Sequence, residues 1–187
     1  MPSAAQPPAP HDRTTRGIVV RPCFQQDLIW VQLIYAHAVI TGAGTFETEP
    51  PDLEEMTSRW SKVVGRGWPF LVASDAHDVS RVYGFAYAQQ FRDRQAYAKT
   101  FEDSIYVAHT AHGLKIGSAL MGGLLGELQA LGAEQVIAVI GDSYNAASIA
   151  LHARFGFYHA GRLDAVGRKF GRVLDVVLMQ RDLRSVS

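Results

Sequence analysis

Two hydrophobic periods alternate along this chain, one typical of strands and one typical of helices. The short stretch Ile18 to Arg21 predicts a strand that stops at Pro22. After Asp27, apolar residues at helical spacing predict a first helix; they are Leu28, Val31, Ile34, Tyr35, Ala38 and Val39. Asp52 is placed to cap a second helix, LEEMTSRWSKVV, which ends at Gly65 and Gly67.

Three β-prone stretches follow, PFLVAS, RVYGFAYAQQF and KTFEDSIYVAH. The segment LKIGSALMGGLLGELQALG then predicts a long helix, with an apolar stripe of Leu114, Ala119, Leu120, Leu124, Leu125, Leu128 and Leu131. A strand QVIAVIG, a helix NAASIALHARFG and two strands, FYHAGRL and RVLDVVLMQ, complete the order, with a turn at AVGRKFG. This order predicts a mixed α/β (α+β) protein and not the strict βαβ alternation of a doubly wound fold.

Composition and charge describe one globular domain. Residues 1–16 are rich in proline and alanine and are interpreted as a flexible leader, so residues 17–187 are expected to form a single domain. The 18 Lys and Arg balance the 18 Asp and Glu, which argues against a nucleic-acid binder. No apolar run approaches the roughly 18 residues of a membrane span or the core of an export signal, so the cytoplasm is the expected location. The single cysteine, Cys23, excludes a disulfide framework and a Cys-rich zinc site.

The most informative junction is SIYVAHTAHGLKIGSAL, a predicted strand that leads through a loop with glycines into the long helix. A helix N-terminus carries unpaired backbone N–H groups and a partial positive charge, so pyrophosphate binding is one interpretation. Ordinary turn chemistry is the other, since such joints are common. The chain contains neither GxxxxGK[ST] nor GxGxxG, which excludes a Walker loop and a dinucleotide fingerprint.

This junction, the order of the elements and the later NAASIALHARFGF resemble the GNAT superfamily of N-acetyltransferases, and within it the phosphinothricin and methionine sulfoximine acetyltransferase group. Matching segments run in order from about Ile18 to Leu183: GTFETEP, WPFLVA, YGFAYA, FRDRQAY, TFEDSIYV, AVIGDSYNAASIALHARFGF and GRKFGRVLDVVLMQRDL. The resemblance implies a mostly antiparallel sheet of about seven strands flanked by about four helices. It also implies direct, metal-free transfer of an acetyl group from acetyl-CoA to the primary amine of a small amino-acid-like substrate, and a homodimer formed through the carboxy-terminal hairpin.

The resemblance assigns acetyl-CoA binding to one loop, one strand and one helix. The loop reads His112-Gly113-Leu114-Lys115-Ile116-Gly117, and backbone N–H groups of Leu114, Ile116, Gly117 and Ser118 are expected to bind the pyrophosphate. It departs from the family's Q/R-x-x-G-x-G/A at His112 and Lys115; Lys115 either adds a charge contact or weakens CoA binding through its bulk. The backbone of Tyr106 and Val107 is expected to pair with the pantetheine arm, beside Asn145 and Ser148 on the later helix.

Two residues carry the expected chemistry. Glu102 matches the family's carboxylate that deprotonates the amine; a solvated strand position is the alternative. Strand alternation places Glu102 with Ser104 and Tyr106 on one face, and Phe101, Asp103 and Ile105 on the other. His152 stands where many relatives have a tyrosine proposed to protonate the leaving thiolate. It is therefore interpreted as an acid or a substrate ligand, or else as a packed helical histidine.

The family's substrate pocket matches Arg92, Arg94 and Tyr97, where two guanidinium groups could bind a small carboxylate or phosphinate. A solvated loop is the alternative, and Arg92 replaces the lysine common in the group. Phe46 is expected to be an apolar wall of the same pocket or an ordinary packing residue. Two rival functions stay open: a protein or peptide N-terminal acetyltransferase, and a non-catalytic acyl-CoA-binding regulatory module.

Overall fold

The computed structural model describes residues 17–184, and the predicted leader lies outside the described residues. Within this range the strands are β1 (Ile18–Pro22), β2 (Phe70–Asp75), β3 (Val82–Gln90), β4 (Thr100–Val107), β5 (Gln135–Gly141), β6 (Tyr158–Lys169) and β7 (Arg172–Asp182). The helices are α1 (Leu28–Thr41), α2 (Leu53–Val64), α3 (Ile116–Ala130) and α4 (Ala146–Arg154). The order of elements predicted from the sequence is confirmed. None of the helices in residues 17–184 has both the length and the apolar character required to cross a membrane.

All seven strands form one sheet in the order β1-β2-β3-β4-β5-β7-β6. Only β4 and β5 run parallel; every other neighbouring pair is antiparallel. A parallel pair needs a crossover connection, and α3 supplies it between β4 and β5. The prediction of a mostly antiparallel sheet of about seven strands with about four helices is therefore confirmed.

The helices cover both faces of the sheet. On one face α1 and α2 pack against β2 and β3, with Val31, Tyr35 and Phe85 in that core. On the other face α3 packs through Leu120, Leu124 and Leu128. The predicted stripe of α3 is correct at these positions. Ala119 is exposed because it points away from this face, and Leu131 is exposed because it follows the last residue of the helix.

An aspartate precedes each of the helices α1 and α2, but the two aspartates make different contacts. Asp52 caps α2 as predicted, because its Oδ1 accepts a hydrogen bond from the Glu55 N–H at 2.8 Å. Asp27 precedes α1, but its side chain accepts no capping hydrogen bond from that helix. Its buried carboxylate is instead bound by the Arg21 guanidinium at 2.7 and 2.8 Å, which ties the start of α1 to β1.

In the carboxy-terminal hairpin, the predicted end of β6 is wrong. AVGRKFG is predicted to be a turn, but β6 continues through it to Lys169, and only Phe170 and Gly171 connect β6 to β7. Both of these residues have positive φ, of 52° and 70°, as a tight two-residue hairpin turn requires. A register shift between Leu163 and Gly167 absorbs the extra residues as a bulge.

Candidate functional site

A cleft of about 800 Å³ opens where β4 and β5 separate. The two strands are paired only from Thr100 to Asp103 on β4 and from Gln135 to Ala138 on β5. Beyond that point β4 continues along β3 and β5 continues along β7, so the facing edges are left without a strand partner. The start of α3, one side of α4 and residues 42–45 complete the walls.

Tyr106 and Val107 lie on the separated part of β4 and line this cleft. Tyr106 is paired with Phe85 of β3 on one side, and its ring packs edge-on against Tyr35 of α1 at 4.8 Å between centroids. The other edge of β4 faces the cleft. An extended chain could therefore bind there through backbone hydrogen bonds, in the manner of an added strand.

The loop before α3 has an unusual backbone. Gly113 and Lys115 both have positive φ, of 83° and 60°, and Lys115 occupies the N-cap position of α3. The first hydrogen bond of the helix runs from the Ala119 N–H to the Lys115 carbonyl. The backbone N–H groups of Ile116, Gly117 and Ser118 therefore have no acceptor within the helix. The Leu114 N–H, expected to be a further donor, already donates to the Ala111 carbonyl at 3.3 Å.

Basic side chains line the cleft around this helix start. Lys115 and His112 are exposed at the wall of the cleft. Arg154, at the end of α4, also lines the cleft and donates to the Ser118 Oγ at 3.3 Å. Arg154 was not singled out from the sequence, because only the tertiary structure brings the end of α4 next to the start of α3. The arrangement places positive charge beside unpaired N–H groups, which suits a pyrophosphate or another polyanion.

The predicted face of α4 does line the cleft, through Asn145, Ser148 and His152. Asn145 caps the helix, since its Oδ1 accepts from the Ser148 N–H at 3.2 Å. His152 is buried, and its Nδ1 lies 2.8 Å from the Ser148 carbonyl oxygen. Its Nε2 lies 3.0 Å from the Oδ2 of Asp103, a residue to which the sequence analysis gave no role.

Glu102 lies one residue before Asp103 on β4, and the predicted alternation places the two on opposite faces of the sheet. Glu102 is half-buried and belongs to the α1 and α2 side. Burial raises the pKa of its carboxyl group, and the nearby charge of Arg92 opposes this shift without cancelling it. Such a carboxylate is a better proton acceptor than an ordinary surface glutamate.

The predicted substrate residues Arg92, Arg94 and Tyr97 lie in the exposed connection between β3 and β4. Arg92 stacks on the Phe91 ring at 4.1 Å and is close enough to Glu102 to influence its pKa. Arg94 immediately precedes a short turn of 3₁₀ helix that contains Tyr97. None of the three is part of the cleft wall, and of the three the structure places Arg92 close enough to Glu102 to act on its charge.

Phe46 is held in a close-fitting position. Its ring lies over Gly141 and Gly167, where a Cβ atom on either glycine would collide with it. The buried Lys169 fixes the adjoining loop, because its Nζ donates to the carbonyls of Gly42 and Thr45 at 2.8 Å each. Lys169 was not predicted from the sequence, where its segment GRKFG indicates a turn and gives no sign of long-range contacts.

Cys23 has little support as a nucleophile in this structure. Burial raises the pKa of the Cys23 thiol to about 12, so this cysteine is a poor nucleophile at neutral pH. Residues 17–184 contain no group of three or more His, Cys, Asp or Glu side chains placed to hold a metal ion.

Comparison with known proteins agrees with this geometry. A model of the acetyltransferase (GNAT) family matches residues 32–157. The chain is 42% identical over 193 residues to a phosphinothricin N-acetyltransferase of Alcaligenes faecalis, covering 99% of this chain and 96% of that protein. It is 36% identical over 157 residues to an L-methionine sulfoximine/L-methionine sulfone acetyltransferase of Pseudomonas paraeruginosa, covering 84% and 90%. A crystal structure of a phosphinothricin acetyltransferase from Sinorhizobium meliloti in complex with AcCoA matches with a TM-score of 0.85 and 43% identity, covering 89% of this chain and 88% of that one.

Proposed function

Because the chain belongs to the GNAT acetyltransferase family and is an acetyl-CoA-dependent N-acetyltransferase, we propose that its acceptor is the primary amine of a small amino-acid-like molecule. The acceptor is of the phosphinothricin or methionine sulfoximine type. The observation that carries this proposal is the 42% identity to a phosphinothricin N-acetyltransferase over 99% of the chain. Such coverage includes every segment that forms the cleft.

The residues around the cleft fit acetyl-CoA as the acetyl donor. Backbone N–H groups at Ile116, Gly117 and Ser118 bind the pyrophosphate, and the side chains of Lys115 and His112 lie beside it. The free edge of β4 at Tyr106 and Val107 binds the pantetheine arm opposite Asn145 and Ser148 of α4. When bound, acetyl-CoA supplies an activated thioester carbonyl.

Glu102 is the general base. Its half-buried position and raised pKa support this role, because a base works best when its pKa approaches the working pH. The neighbouring guanidinium of Arg92 favours the charged form of Glu102, which is the form that accepts the proton.

Arg92 and Arg94 bind the anionic end of the acceptor, with Tyr97 beside them and Phe46 as an apolar wall. The exposure of both arginines and the proximity of Arg92 to Glu102 support this arrangement. A carboxylate or phosphinate bound there would place its own amine near the base. Arginine suits such groups because its planar fork binds two oxygens at once.

His152 is the acid that protonates the leaving thiolate. Its position in the wall of the cleft supports this role. The amine attacks directly, and the high pKa of the buried Cys23 thiol supports a route without an acetyl-cysteine.

Residues 17–187 act as one domain in the cytoplasm and form a homodimer through the carboxy-terminal hairpin. The dimer is supported by the exposed apolar side chains of β6, β7 and their turn, which are Leu163, Val166, Phe170 and Val173. An exposed edge strand with such residues is a common pairing surface. Sedimentation of the purified chain tests this assembly.

Steady-state kinetics with acetyl-CoA test the acceptor. The panel contains phosphinothricin, methionine sulfoximine, methionine sulfone, unmodified amino acids and short peptides with free amino termini, and the readout is release of the CoA thiol. We expect kcat/KM to be highest for phosphinothricin or the two sulfur-oxidised methionines. Preference for the peptides would replace this proposal with N-terminal acetylation. CoA binding without turnover of any amine would favour a regulatory module.

A further inference from the structure

A buried acid–histidine pair lies at the narrow end of the cleft. Asp103 is the last residue of β4 that pairs with β5, and His152 reaches it from α4, 49 residues later in the chain. The side chains are 1% and 6% exposed, and both residues line the cleft. The Phe157 ring packs edge-on against the imidazole at 5.0 Å, which restricts its rotation.

The partners of His152 determine which nitrogen carries a proton. The Ser148 carbonyl oxygen can only accept a hydrogen bond, so Nδ1, 2.8 Å away, must be the donor. Nε2 therefore either donates to the Asp103 carboxylate or accepts from its protonated form across 3.0 Å. In both cases the pair holds one proton more than a neutral histidine beside a carboxylate.

Burial and charge keep that proton in place. Removing it would leave an Nε2 lone pair facing a buried carboxylate, and Asp103 Oδ1 has no hydrogen-bond partner among the described residues. Burial alone lowers the pKa of His152, but the hydrogen bond and the charge of Asp103 outweigh it, so the pKa lies above its usual value. At neutral pH a larger fraction of His152 is therefore protonated than of an ordinary histidine, whose pKa is about 6.5.

The geometry points to Asp103 as a positioning residue for the acetyl transfer: it fixes His152 as the tautomer protonated at Nδ1 and retains the second proton beside the cleft. This role rests on the proposed function of His152 as the acid. In the reaction the amine nitrogen bonds to the acetyl carbon, the carbon–sulfur bond breaks, the nitrogen loses a proton and the sulfur gains one. Glu102 takes the first proton and the pair supplies the second, and exchange with water restores both groups.

Other charged or titratable side chains lie near the pair. Glu102 precedes Asp103 on β4, and His112 and Lys115 before α3 and Arg154 on α4 line the same cleft. The test must therefore separate the pair from these groups. Two measurements do so, one on the imidazole itself and one on turnover.

The first measurement is an ¹⁵N NMR titration of the histidine rings in the full chain, without substrate. His152→Gln identifies the signals of His152 by their loss. We expect His152 to keep its extra proton above pH 6.5 in the natural chain, and Asp103→Asn to leave a neutral ring protonated at Nδ1 at pH 7. An ordinary or lowered pKa of His152 in the natural chain refutes the inference, and that result does not depend on whether Asp103→Asn folds.

The second measurement is the pH profile of kcat. Asp103→Asn should move the high-pH limb to lower pH and reduce kcat about tenfold or more at pH 8, with the KM for acetyl-CoA changed less than about twofold. In a His152→Gln background the same substitution should leave kcat unaltered, because Asp103 acts through His152. The matched control is Asp27→Asn, a buried carboxylate bound by Arg21, which should lose stability and keep the profile of the natural chain.

A merely structural role for Asp103 predicts lower stability with an unmoved pH limb, and that outcome overturns the inference. The titration also separates this inference from the proposed function. A chain that acetylates no amine in the panel would refute the proposed function, whereas the NMR signals would still decide whether Asp103 holds the proton on His152.

Discussion

Glu102→Gln is the most direct test of the proposed chemistry, because it removes a negative charge and keeps the shape of the side chain. If Glu102 takes the proton of the amine, the loss of this general base should lower kcat/KM by about 10² to 10⁴-fold. That range corresponds to roughly 2.7 to 5.5 kcal/mol of transition-state stabilisation. The KM for acetyl-CoA should change little, since the cofactor wall of the cleft does not include Glu102.

The raised pKa of Glu102 also predicts how activity and stability should change with pH. The base must be ionised, so activity should fall as the pH drops through a pKa that burial has raised, and Glu102→Gln should lack that limb. A raised pKa also means that the folded chain binds this proton more tightly than the unfolded chain. The charged form therefore costs stability at pH 7, and the cost disappears below the unfolded pKa of about 4.3. Glu102→Gln should be at least as stable as the natural chain at neutral pH.

Thiol release measured from pH 5 to 9, together with thermal unfolding at pH 7, checks both parts. The control is Glu134→Gln, which removes an exposed carboxylate paired with Lys99 at 2.7 Å and should leave turnover unchanged. Turnover of Glu102→Gln that equals the natural rate across the pH range would show that Glu102 is not the base. A large loss of stability would show instead that the substitution acts through the fold.

Three further substitutions test the cap, the cofactor loop and the substrate wall. Asp52→Ala removes the hydrogen bond to the Glu55 N–H and should cost about 1 kcal/mol in urea unfolding without changing kcat. Lys115→Gly relieves a left-handed backbone at φ 60° and should raise the free energy of unfolding by roughly 1 kcal/mol. Loss of the lysine charge should raise the KM for acetyl-CoA about two- to fivefold. An unchanged KM would show that Lys115 does not belong to the cofactor site. Gly167→Ala places a Cβ against the Phe46 ring and should raise the KM of the amine with little effect on that of acetyl-CoA; equal effects on both would contradict the assignment of Phe46 to the substrate side.

Local rules predicted much of this fold. Helical spacing located α1 and α3, the Asp52 cap located the start of α2, and strand alternation separated Glu102 from Asp103. These features depend on contacts within a few residues, so a single segment contains their cause. The hairpin was less predictable. Its turn is only Phe170-Gly171, and the bulge that lengthens β6 exists because β7 pairs beside it.

The candidate site also contains residues that the sequence predicts and residues that it does not. Its loop and the polar face of α4 were recognisable because their residues are consecutive or lie one helical turn apart. Arg154, Lys169 and Asp103 were not, because each acts on a partner that the chain places far away in sequence. Long-range contacts leave no periodic signal in the segments that make them.

The sequence by itself determined the order of elements, the family and the residue types available for chemistry, because spacing and motif order are written along the chain. The tertiary structure alone decided that β4 and β5 separate after Asp103, and that α4 brings His152 into the opening. Beyond that point β4 stays hydrogen-bonded to β3, and β5 stays hydrogen-bonded to β7. The cleft therefore forms where the pairing between β4 and β5 ends. A buried acid–histidine pair could be found only there, since its two members lie 49 residues apart and meet through the packing of α4 against the sheet.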